Sequence, residues 1–125
     1  MTLEEGVRSF LEADARITAL VGTRIIPAQF DQTIAFPLIT YVRISSNEPQ
    51  THDGWIGWAR IRMQFNIYAD AESGSFATAL GVNQALKLVL RGFPKLPQLI
   101  GERNTVEPQS TIHYFQQDWM FWWTE

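Results

Sequence analysis

Residues 58–69 read Trp58-Ala59-Arg60-Ile61-Arg62-Met63-Gln64-Phe65-Asn66-Ile67-Tyr68-Ala69, and their pattern decides the fold. Ala59, Ile61, Met63, Phe65, Ile67 and Ala69 alternate with Trp58, Arg60, Arg62, Gln64, Asn66 and Tyr68. A helix, with about 3.6 residues per turn, would scatter the apolar set around its circumference; a strand puts it all on one face. The stretch therefore predicts a long antiparallel strand with one apolar face and one polar, solvent-capable face.

Downstream, Asp70 or Ser73 can cap a helix over 71–91, whose inner stripe would be Phe76, Leu80, Leu86 and Leu90, thickened by Val82 and Val89. Lys87 and Arg91 fall in its last turn, where positive charge complements the helix dipole, and Gly92 and Pro94 end it. Residues 92–110 carry three prolines and two glycines and read as a connector with room for one short strand. Ile112 to Thr124 is a closing strand dominated by aromatics.

Upstream, Pro37 opens a strand from Leu38 to Ser46, with Leu38, Val42 and Ile44 expected on one face. The polar stretch from Ser45 to Gly54 reads as a long exposed loop. Arg24 to Ala28, short and broken by Pro27, suits an edge strand, and 29–36 a loop. Thr2 and Glu5 have capping-box spacing ahead of Leu3, Val7, Phe10 and Leu11, predicting a helix over 3–13. Asp14 can cap a further turn with Ile17, Leu20 and Val21 inward, stopped by Gly22. The order predicts an α+β fold: a mainly antiparallel sheet of about four strands with two helices packed on one face.

The bulk numbers restrict what such a domain can do. At 125 residues, 46% hydrophobic and 18% charged, the chain is expected to form a single folded domain spanning 1–125. It has no cysteine, which excludes thiolate nucleophiles, disulfides and cysteine-based zinc sites. The N-terminus Met1-Thr2-Leu3-Glu4-Glu5 is acidic, unlike a signal peptide, and no apolar run is long enough to span a membrane. A soluble, cytoplasmically made product is expected. The net charge of −3 argues against a broad basic surface for nucleic acid.

Catalytic and metal chemistry finds little foothold. His52 beside Asp53 lies in a polar loop next to Gly54 and reads as a solvated turn. His113 and Asp118 are five apart on one strand and so fall on opposite faces. Neither histidine has a third ligand at useful spacing. Ser73 and Ser75 flank Gly74 without forming a Gly-x-Ser-x-Gly elbow, the glycines occur singly, and the carboxylates show no paired pattern. The expectation is a protein without catalytic residues, metal or cofactor.

Two features point elsewhere. Arg60 and Arg62 sit together on the polar face of the long strand, where they either solubilise it or pair with carboxylates of a neighbouring subunit. In the closing strand, Trp119, Phe121 and Trp123 point one way while Met120 and Trp122 point the other. Either all pack in one core or the second face meets another protein, since tryptophan is enriched at interface hot spots. Trp55 and Trp58 could belong to the same surface. The candidate interface residues are thus Arg60, Arg62, Trp58, Trp119, Trp122 and Trp123.

Several blocks, in order, resemble the phage tail completion (tail terminator, head–tail joining) family of long-tailed phages. Ile17-Thr18-Ala19-Leu20-Val21-Gly22-Thr23-Arg24-Ile25-Ile26-Pro27 is similar to its opening, and Ala35-Phe36-Pro37-Leu38-Ile39-Thr40-Tyr41 to its proline-led second block. Gln64-Phe65-Asn66-Ile67-Tyr68-Ala69-Asp70 resembles its strand-to-helix junction, and Asp118-Trp119-Met120-Phe121-Trp122 its closing strand. Residues 92–111 match nothing in it. The resemblance implies no catalytic residues and a homo-oligomer, a hexameric ring, that caps the tail tube protein and docks to the head-side connector protein. DNA would pass through the lumen without specific binding, and an acidic ring would let it slide. It implies a virion tail component assembled in the host bacterial cytoplasm. The alternatives are another head–tail interface protein, head-closure or minor tail, or a small ligand-binding α+β domain whose aromatics line a pocket.

Overall fold

The computed structural model describes residues 2–27, 37–52, 54–55, 57–70, 75–95, 97–106 and 113–124. Three helices, α1 (Leu3–Glu12), α2 (Ala15–Val21) and α3 (Ser75–Arg91), accompany β1 (Ile25–Pro27), β2 (Leu38–Asn47), β3 (Gln50–Thr51), β4 (Gly54–Trp55), β5 (Ala59–Ala69), β6 (Gln98–Val106) and β7 (His113–Trp123). Five strands form one sheet in the order β1-β2-β5-β7-β6. All its pairings are antiparallel except β1 with β2, so the sheet is mixed.

The α+β class holds, with one more strand and one more helix than the sequence pattern led us to expect. The extra helix arises because Asp14 leaves the helical region (φ −98°, ψ 120°) and accepts the Arg16 N–H at 2.9 Å, so the N-terminal segment breaks into α1 and α2. The extra strand is β6, drawn from the connector; its Gln98, Glu102, Arg103 and Asn104 give no apolar alternation to read. The polar loop after β2 also folds, as a small hairpin pairing Gln50 with Trp55 and Thr51 with Gly54. Gly54 takes φ 105° there, a region that side-chain-bearing residues avoid. Ala28, residues 29–36, Asp53 and the cap candidate Ser73 lie outside the described residues.

β5 is the central strand. Its Ile61, Met63, Phe65 and Ile67 face the helices, opposite Phe121, Trp119, Gln117 and Phe115 of β7. On the other side Phe65 opposes Tyr41 and Ile67 opposes Ile39 of β2. The helix-facing set of β2 is therefore Ile39 and Tyr41, while Leu38 and Val42 share the other face, as expected, across from Tyr68 and Gln64. Arg43 confirms the face by reaching Glu4 of α1 at 2.6 Å. A bulge between Arg43 and Ser45 leaves Ile44 48% exposed.

The helices cover this one face. Leu3, Val7 and Leu11 of α1 and Ile17 and Val21 of α2 are buried, while Leu20 is exposed rather than inward. The cap of α1 differs slightly from a capping box: the Glu5 N–H donates to Thr2 Oγ1 (3.2 Å), and that hydroxyl donates to Glu5 Oε1 (3.1 Å). The inner stripe of α3 is Ala79, Val82, Leu86, Val89 and Leu90. Phe76, expected inside, is 45% exposed, although its ring lies 5.9 Å from that of Phe115. Val82, Leu86, Val89 and Leu90 lie inside as expected and Leu80 packs at the margin, while the polar Asn83 is buried within the stripe. Phe93 closes the core's end, edge-on to Phe10 at 5.2 Å and to Phe121 at 5.5 Å.

Candidate interaction face

Side chains alternate across the sheet, so β5 and β7 must present a second row on the side the helices do not cover. β5 offers Arg60, Arg62, Gln64, Asn66 and Tyr68; β7 offers Tyr114, Gln116, Asp118, Met120 and Trp122 directly opposite. β6 adds Arg103 beside Gln116 and Gly101 beside Asp118. At one end Leu38, Thr40 and Asn66 are buried. At the other, Arg60, Ile44 and Trp58 are exposed.

The middle of this face is one hydrogen-bonded ladder. Arg103 Nε donates to Gln116 Oε1 (2.6 Å), Gln116 Nε2 to Asn66 Oδ1 (3.2 Å), and Asn66 Nδ2 to Gln64 Oε1 (3.4 Å). Gln64 Nε2 then donates to Asp118 Oδ1 (3.3 Å), whose other oxygen receives Arg62 Nη2 at 2.6 Å. The ladder ties three strands together and floors a concavity of about 450 Å³, lined on its β6 side by Gly101, Glu102 and Arg103. Arg62 Nε is buried without an acceptor among the described residues.

The helix face carries a counterpart. The Trp119 indole N–H donates to Gln117 Oε1 (2.8 Å), and Gln117 Nε2 donates to Asn83 Oδ1 (2.6 Å) and to the Asn83 carbonyl (3.0 Å). Asn83 Nδ2 and Lys87 Nζ donate to the two Glu102 oxygens at 3.2 and 3.0 Å. Burial pushes the Glu102 carboxyl up, but the hydrogen bonds from Lys87 and Asn83 outweigh it and hold it below its ordinary value. Neither network follows from sequence spacing, because each joins β6 to distant elements through pairings that only the register creates.

The six residues singled out in the sequence divide. Arg60 and Trp58 are exposed, and Trp122 is half-buried on the open face, paired across from Arg60. Arg62 belongs to the ladder and is committed in part to Asp118. Trp119 and Trp123 are 1% and 8% exposed and pack in the chain's own core, on the helix-facing side and not on the open face. Trp123 and Trp58 nevertheless meet through Lys95, whose ammonium lies 5.4 and 5.6 Å from the two ring centroids. The Trp122 N–H donates to the Lys95 carbonyl (3.1 Å) and the Thr124 hydroxyl to the Gly57 carbonyl (2.9 Å), which fixes this corner.

Among the described residues no group of three or more His, Cys, Asp or Glu could hold a metal ion, and no helix is long and apolar enough to cross a membrane. His52 is exposed; Asp53 lies outside the described residues. Asp118 faces Arg62 and Gln64 across the open side.

The helices thus cover one side of a mixed sheet and leave a polar face on the other. Residues 5–113 match the family model for tail completion protein gp17. The chain belongs to that family, and so to the structural proteins of phage tails. Among solved structures, the fold is similar to a chain of the virion of a native gene transfer agent particle, with a TM-score of 0.74, 20% identity and coverage of 98% of this chain and 95% of that one. A structure from Akkermansia muciniphila without its transmembrane region aligns over 66% of this chain and 44% of its own at 15% identity; its TM-score of 0.34 is too low to inform the fold. No curated protein sequence matches significantly.

Proposed function

We propose that this chain is a non-enzymatic subunit of a ring, a hexamer, that caps the finished tail tube and joins it to the head connector, with DNA passing through the lumen. The observation that carries the reading is family membership across residues 5–113. The near-complete overlay on a chain of a phage-like virion particle supports it at the level of fold. A ring closes through a head-to-tail interface, which requires two unlike patches on each subunit. The open sheet face supplies one of them: Arg60, Trp58 and Trp122 have the arginine and tryptophan composition that dominates interface energetics. The subunit is made in the bacterial cytoplasm and ends in the virion tail.

The purified protein should give closed rings in negative-stain micrographs and a matching mass in solution, alone or on added tail tubes. The double substitution Arg60→Glu with Arg62→Glu should abolish assembly and leave the subunit folded. Capture of portal-side proteins but never of tube protein would instead make the chain a head-closure component. A protein monomeric both alone and with tubes would sink the ring.

A further inference from the structure

We draw no further inference here: the strongest candidate, the surface of the helix layer where Leu20 of α2 and Phe76 and Leu88 of α3 are exposed, carries nothing, because nothing in the structure shows what covers it.

Discussion

β7 carries two hydrogen-bonded networks on its two faces, one residue apart, and they differ in how completely they close. Gln117 faces the helices, where the Trp119 indole, Asn83, Glu102 and Lys87 leave it fully matched and wholly buried. Gln116 and Asp118 face the open side, where the buried Arg62 Nε and the outer nitrogens of the exposed Arg103 have no acceptor among the described residues. The same strand chemistry therefore serves two ends. Inside, an unmatched polar atom would cost stability, so the network closes within the chain. Outside, water can complete the exposed guanidinium of Arg103, whereas the buried Arg62 Nε, like the Trp123 indole N–H on the helix-facing side, has no partner among the described residues.

The sharpest way to break the comparison is to charge the inner face where it is driest. Phe65→Asp places a carboxylate in the core between Tyr41 and Gln117, and should abolish the folded state, read as loss of a cooperative thermal transition. Gln117→Ala is the next largest. It strips the Trp119 N–H of its acceptor and Asn83 of a donor in a dry site, and should lower stability by roughly 2–4 kcal/mol in urea melts. Its outer mirror image, Asp118→Ala, releases a salt bridge whose arginine side chain is 39% exposed, and should cost no more than about 1 kcal/mol. Comparable losses for the two variants would erase the distinction between a closed and an open network.

How far the sequence carried the reading follows from the same division. The alternation of β5 located the sheet, its two faces and the helix-covered core, because apolar side chains with a fixed period have only one way to be buried. β6 was legible only as room for one short strand: an edge strand carrying the exposed Glu102, Arg103 and Asn104 takes its structure from pairing with β7, not from its own pattern. On β2, Leu38 and Val42 share one face as the pattern had it, whereas Ile44 sits at a bulge and Arg43, committed to Glu4, takes a helix-facing position that its polarity does not announce. Arg60 and Trp122 were found as neighbours of a polar face. Arg103 and Gly101 were not, since their place opposite Gln116 and Asp118 exists only in the register.

The smallest effect tests the point where the closed network reaches solvent. Glu102 receives Lys87 and Asn83 with its side chain 37% exposed, and those bonds hold its carboxyl below the ordinary value of 4.5 despite the opposing effect of burial. A carboxyl depressed on folding adds stability above its unfolded pKa, and that contribution is lost as pH falls through the folded value. Stability should therefore decline below about pH 4.5 in part through Glu102, and Glu102→Gln should flatten that limb while lowering stability slightly near neutrality. Because water screens the exposed side of the pair, the difference near neutrality should stay within about 1 kcal/mol. Urea melts of both proteins from pH 3 to 7, roughly spanning the unfolded carboxyl range, supply the check. Parallel curves would mean that Lys87 and Asn83 gain nothing from the charge, and that the inner network ends at Asn83 instead of reaching the surface.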